Sequence, residues 1–227
     1  MGDLDRPVWA SLTTFHRALS EGDARARRFL RDVNLFASAR DDGEEAQAGL
    51  ADLVRPGEHV YLLQVPAITV PPGLRAARTA KGVQMVAARP LAAEADGEIE
   101  LLTDADAPEM LALATLTEPG PFLPRTHAMG RFLGIRRGGR LAAMAGERMR
   151  FPGFTEVSGV CTHPEFRGKG LARRLSAAVT AAIQARGEIA FLHAWASNVP
   201  AIALYRTLGF ELRAEVNVAV LETVIAP

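Results

Sequence analysis

The chain has 227 residues, 48% of them hydrophobic, and its 26 Lys+Arg balance 26 Asp+Glu. A zero formal charge argues against a broad nucleic-acid binder, whose affinity comes from neutralising many phosphates. Length corresponds to roughly one and a half typical domains, so one large domain or a compact domain with an extra piece is expected. Cys161 is the only cysteine, which excludes an intrachain disulfide and a Cys-rich zinc site. Residues 1–12 lack the apolar core of a signal peptide, and no stretch approaches the ~20 apolar residues that span a bilayer. A cytoplasmic protein with no membrane or nucleic-acid partner is therefore expected.

Residues 7–58 read as helical segments, with a break near Glu21-Gly22-Asp23 and a stop at Pro56-Gly57. Residues 61–65 and 83–88 read as strands separated by the turn signal Pro71-Pro72-Gly73. The small and acidic stretch 92–97 marks a boundary between an N-terminal α/β region, residues 1–95, and a second domain, residues 96–227. A short strand follows at 99–102, then a helix to about Leu116, with Asp104 or Asp106 as cap and Pro108 in its first turn. Three prolines make 117–124 a loop. Residues 132–136 and 141–148 form a hairpin through Gly138-Gly139, and Pro152-Gly153 turns into a strand over 155–162.

Over 170–186, Leu171, Leu175, Ala178, Val179, Ala182 and Ile183 share one helical face, and Gly187 stops the helix. The nearly continuous apolar run 189–195 reads as a buried parallel strand. Strand, helix and strand over 155–195 make one βαβ unit with a right-handed crossover. A second helix begins at Ser197 or Asn198 and ends at Gly209, and residues 216–220 read as a last strand.

The segment with most chemical content is Arg167-Gly168-Lys169-Gly170-Leu171-Ala172, between a strand and a helix start. Glycines there allow close backbone approach and positive φ. Unpartnered amides and the helix dipole at the same point make an anion site suited to a pyrophosphate. Lys169 is followed by glycine, so a Walker P-loop is excluded. Arg173 stands where the dinucleotide fingerprint needs a third small residue, which leaves that alternative weak, although Glu188 lies about 20 residues on. A glycine-rich turn with no ligand is the plain alternative for a bare Gly-x-Gly.

The wider context resembles the GNAT superfamily of N-acetyltransferases. Arg167, Gly170 and Ala172 fill that family's Arg/Gln-x-x-Gly-x-Gly/Ala motif. Asn198, Ala201, Leu204, Tyr205, Gly209 and Phe210 fill a second block at a fitting separation. The resemblance covers about 99–220. It implies a mixed α/β acyltransferase fold with splayed central strands, preceded here by an N-terminal α/β extension. It also implies transfer of an acetyl group from acetyl-CoA to a primary amine by direct attack, on a small molecule or a peptide. Gly168, Lys169, Gly170, Leu171 and Ala172 with Arg167 would hold the pyrophosphate. The strand edge at Val160, Cys161 and Thr162 would pair with the pantetheine amides, Asn198 would contact the far end of that arm, and Tyr205 would protonate the departing thiolate. Arg173 and Arg174 are either solvated or near the 3′-phosphate.

Glu147 and Glu156 are the candidates for the base that takes the amine proton; each is equally compatible with a solvated position or an ion pair to Arg148 or Arg150. Cys161 reads as a buried apolar residue rather than a nucleophile. The five histidines are too scattered for a metal site, and His193 reads as a core histidine. A non-catalytic acyl-CoA-binding module is the rival function. Residues 1–95 are compatible with a degenerate copy of the same fold, a lid, or the surface of a homodimer.

Overall fold

The computed structural model describes residues 2–91 and 96–224, so 92–95 of the expected boundary lie outside the described residues. Pro7, placed at the first helical position, opens α1 (Pro7–Thr13). The chain then forms a small antiparallel sheet of β1 (Ser20–Gly22), β2 (Ala26–Phe29) and β3 (Ala37–Ala39), followed by α2 (Glu44–Asp52). Residues 20–39 are thus strand and turn where helix was expected. Gly22 decides it: its φ is 113°, and a Cβ there would stand 2.3 Å from the Ala26 carbonyl oxygen, so the chain reverses tightly at this point. Phe29, Val33 and Phe36, which have helical spacing, instead meet in one core cluster from a strand, a turn and an isolated bridge to Tyr61.

The main sheet contains β4 (His59–Gln64), β5 (Leu74–Ala87), β6 (Ile99–Leu102), then, after α3 (Ala107–Thr117), β7 (Phe132–Arg137), β8 (Arg140–Phe151) and β9 (Phe154–Thr162). It is completed by α4 (Leu171–Gln184), β10 (Ile189–Trp195), α5 (Val199–Thr207) and β11 (Phe210–Thr223). Strand order is β4-β11-β5-β10-β9-β8-β7-β6. Only β9 and β10 pair in parallel within it, as the βαβ unit requires. Gly138 and Gly139 both have positive φ, 57° and 78°, which suits the turn between β7 and β8. The expected strand at 83–88 is the end of a 14-residue strand, because the exposed residues of 75–79 pair with β11 rather than with an apolar core. Since β5 lies between β10 and β11, residues before and after 95 share one sheet.

Alternation along β10 separates the two faces. Ala190 and Leu192 pack with Leu171, Leu175, Val179 and Tyr205 beneath α4 and α5. Phe191 turns the other way and packs with Leu4, Val8, Phe29, Phe36 and Leu63 of the N-terminal region.

Two irregularities open the sheet. Pairing of β9 with β10 stops at Phe191↔Glu156, whereas β9 continues to Thr162 and β10 to Trp195. The strands therefore diverge and leave a slot. Opposite the slot, β9 takes three residue steps from Ser158 to Cys161 while β8 takes two from Met144 to Gly146. This bulge centres on Gly159, whose φ of 62° is available to glycine at little cost.

Candidate active site

The anion site is built at the start of α4. Gly168 and Gly170 have φ of 76° and 71°, and no atom lies within 4 Å of where a Cβ would project from either. Arg174 N donates to Gly170 O at 3.1 Å, closing the first helical turn, so the amides of Leu171, Ala172 and Arg173 precede any intrahelical partner. The side chain of Arg173 makes no hydrogen bond or ion pair among the described residues. Arg174 belongs elsewhere: it donates to Asp96 at 2.7 and 2.6 Å and to Glu98 at 2.7 Å; it holds the Asp96 carboxyl below its ordinary value, and Arg137 and then Arg174 do the same for Glu98. Lys169 stands 5.4 Å from the centre of the Phe166 ring.

A cavity of about 810 Å³ runs from this loop into the slot. Arg167, Gly168, Gly170, Leu171 and Ala172 line its loop end, and Val160, Cys161 and Thr162 line it from β9. Asn198 and Tyr205 line it from α5. Lys169, alone of the expected phosphate-loop residues, is not on its wall. Asn198 also caps α5, its Oδ1 accepting from Ala201 N at 3.2 Å, which fixes the side chain at the cavity edge. The cavity passes through the sheet: Leu171, Leu204 and Tyr205 lie on the helical side, and Phe36, Leu63 and Val218 on the N-terminal side.

Tyr205 is 8% exposed and stacks edge-on with Phe210 at 6.0 Å. Its hydroxyl has no protein partner among the described residues, and desolvation pushes its pKa up to about 12. It is therefore a neutral donor on the cavity wall. Burial likewise pushes the Cys161 thiol up to about 11, so it is no nucleophile at neutral pH.

The two candidate bases part company. Glu147 is buried but leaves the cavity wall; it accepts from Arg186 Nη1 at 2.9 Å and packs against Gly130. Glu156 sits at the vertex of the slot with no exposed surface. It accepts from Arg148 Nε and Nη2 at 2.7 and 2.6 Å, from Met149 N at 3.3 Å, and bonds His193 Nδ1 at 2.7 Å. Despite complete burial, which opposes ionisation, the Arg148 guanidinium and these hydrogen bonds lower its pKa to about 2. Of the expected alternatives, the ion pair with Arg148 is the one present.

His193, expected in the core, lines the cavity; its sequence signal is an ionisable group inside an apolar strand. Gln84 fixes its tautomer. The Gln84 Oε1 accepts from Arg213 Nη1 at 2.8 Å and its Nε2 donates to Leu4 O at 2.8 Å, so Nε2 also faces His193 Nε2 at 3.0 Å. In this arrangement His193 Nε2 accepts from Gln84 and Nδ1 donates to Glu156. Arg213 continues the chain to Asp5 at 2.6 Å. Phe36, Tyr61 and Leu63, all before residue 95, were not anticipated on the wall either. Among the described residues no cluster of ligating side chains could hold a metal, and no helix is long and apolar enough to cross a membrane.

Comparison with known proteins agrees with this geometry. The FR47-like protein family matches residues 132–219. The N-alpha-acetyltransferase RimI of Mycobacterium tuberculosis is 37% identical over 83 residues, 35% of this chain and 51% of its own. The chain thus spans about half the length of that curated relative. A solved GNAT-family structure from Novosphingobium aromaticivorans is 44% identical, with 99% of this chain and 100% of the other covered and a TM-score of 0.94. A GCN5-related N-acetyltransferase from Kribbella flavida shares the fold at 21% identity, covering 100% of this chain and 97% of its own, with a TM-score of 0.64. With a splayed β9–β10 pair, a bulged β9, a glycine loop at the start of α4 and a relative similar over its whole length, the chain belongs to the GNAT superfamily of N-acetyltransferases.

Proposed function

We propose that the protein is an acetyl-CoA-dependent N-acetyltransferase acting on a primary amine by direct attack in a ternary complex. The observation that carries this is the through-sheet cavity, with an anion-binding helix start at one end and an unpartnered, neutral tyrosine beside the slot. The residues fit the cosubstrate. The open space over Gly168 and Gly170 is a cradle that side chains would fill. The edge of β9 beyond Glu156 has no strand partner on the slot side, so an extended amide-bearing arm can pair with it.

When bound, acetyl-CoA supplies the activated acetyl group. The amides of Leu171, Ala172 and Arg173 hold pyrophosphate oxygens, with Arg167 and Arg173 as flanking cations. Val160–Thr162 orient the arm, and Asn198 touches it near the slot. Tyr205 donates its phenolic proton to the departing sulfur, and its raised pKa keeps that proton available throughout the physiological range. Neither Glu147 nor Glu156 abstracts the amine proton: the first faces away, and the second is fully ionised with its oxygens occupied. The amine therefore reaches the slot neutral, having lost its proton to water.

Calorimetry with acetyl-CoA and with NAD, followed by thiol release against a panel of amines, tests the assignment. Tight acetyl-CoA binding with amine-dependent thiol release is expected. Binding without release from any amine would instead make the chain an acyl-CoA-binding module, and preference for NAD would defeat both.

A further inference from the structure

The cavity continues past the slot into a chamber on the N-terminal face of the sheet, walled by Phe36, Tyr61 and Leu63. None of these belongs to the stretch that matches the family model. Arg148 lines the same cavity and is held in two ways. Its Nε and Nη2 edge is spent on Glu156, and its Cζ stands 4.8 Å over the Phe36 ring. Gly120 lies beside the guanidinium, its Cβ position 3.9 Å from Nη1. Nη1 itself has no partner among the described residues, although the side chain is only 10% exposed. A nine-tenths buried guanidinium thus keeps one donor edge unspent on the cavity wall.

The charge inventory is equally specific. Glu118 is the only acidic side chain on the cavity wall among the described residues, and it is exposed at the rim. Glu156 is behind the wall and saturated, and both ring nitrogens of His193 are spent on Gln84 and Glu156. A second ammonium in this chamber would be buried without a counter-charge, which is strongly unfavourable. A carboxylate would find the free Arg148 edge in a geometry suited to charge-assisted hydrogen bonds.

From this the structure assigns the acceptor class: a compact amine with an apolar or aromatic body and a carboxylate next to the amine, as in an apolar α-amino acid. The chamber built by the N-terminal region receives the body and Arg148 Nη1 receives the carboxylate, leaving the adjacent amine at the slot. The acceptor's amine arrives already neutral, so the one charge the acceptor brings is the carboxylate that Arg148 Nη1 receives. This inference rests on the acetyltransferase reading above.

The test measures acetyl-CoA binding by calorimetry first, then thiol release with phenylalanine, leucine, phenylalaninamide, phenethylamine, a dipeptide amide, spermidine and kanamycin. Phenylalanine and leucine are expected to exceed phenylalaninamide and phenethylamine in kcat/KM by about tenfold or more, the worth of a charged hydrogen bond. Spermidine and kanamycin are expected to give no turnover above background. Tyr61→Ala, at a half-buried wall position, is expected to raise KM for phenylalanine severalfold with acetyl-CoA affinity unchanged. If acetyl-CoA binds but spermidine, kanamycin, the dipeptide amide or phenylalaninamide is the best acceptor, or no amino acid releases thiol, the acceptor class is wrong and the cosubstrate assignment stands. If acetyl-CoA does not bind, the acetyltransferase reading fails, and this inference fails with it.

Discussion

Tyr205 and Glu156 show how burial sends two ionisable residues in opposite directions. Tyr205 has only desolvation acting on it, so its neutral form is favoured and its pKa rises to about 12. The rate should consequently show no loss from Tyr205 deprotonation below about pH 10, and a pH profile of kcat checks this. Tyr205→Phe should lower kcat by about 100-fold or more while calorimetry gives an unchanged acetyl-CoA affinity. Glu156 is buried more deeply yet ionised, because Arg148 and His193 outweigh desolvation. Its folded pKa lies below the unfolded one, so its stabilisation is complete above the unfolded value of 4.5 and is lost as pH falls toward about 2. Glu156→Gln leaves the Arg148 charge buried and unpaired, and should destabilise the protein by about 3–5 kcal/mol in denaturant unfolding. The acid-induced loss of stability over that pH window should shrink in the same variant.

Among the elements, the loop before α4 and the β7–β8 pair carry the sharpest backbone requirements. Gly170 precedes the helix at φ 71°, ψ 7°, a left-handed conformation that a β-branched residue adopts poorly. Gly170→Val should weaken acetyl-CoA binding by at least about tenfold by filling the cradle, with a melting shift of only a few degrees. Gly146 is a close-packing glycine of another kind. A Cβ there would stand 2.4–2.6 Å from three atoms of the Phe132 ring, which lies directly opposite on β7. Gly146→Ala should therefore cost about 1–3 kcal/mol of stability, as overpacking of a buried site does. These two glycines separate binding from folding: the first lies over open space and the second over a ring.

On the scale of the whole molecule, the N-terminal region is integral to the sheet. β5 hydrogen-bonds to both β10 and β11, and β4 covers the other side of β11. Removing residues 1–95 would strip β11 of both partners and uncover Phe191 and Val218. A 96–227 fragment should accordingly fail to fold cooperatively, which circular dichroism and thermal unfolding would show. The same region supplies Phe36, Tyr61 and Leu63 to the cavity wall, so its loss would open the cavity even in a fragment that stayed compact.

The motif residues are legible in the sequence because their chemistry is local. Gly168, Gly170, Gly187 and Gly209 stand where the backbone needs positive φ, and the α4 stripe from Leu171 to Ile183 has helical period. Such signals depend on a few neighbouring residues, so the glycine loop, the βαβ unit and Tyr205 can be recognised from short stretches of chain. Features that escape such reading depend on partners far along the chain. The exposed half of β5 is a strand only because β11 pairs with it, 130 or more residues away, and its own residues carry no periodicity. Arg174 resembles an anion ligand until Asp96 and Glu98 occupy it, and Glu147 resembles a base until its side chain turns to Arg186. His193 becomes a wall of the site only where β9 and β10 part. The sequence by itself thus determined how the glycine-loop end of the cavity is made. Only the tertiary structure decided the opposite end, because burial, pairing and charge balance there are set by side chains that meet across the sheet.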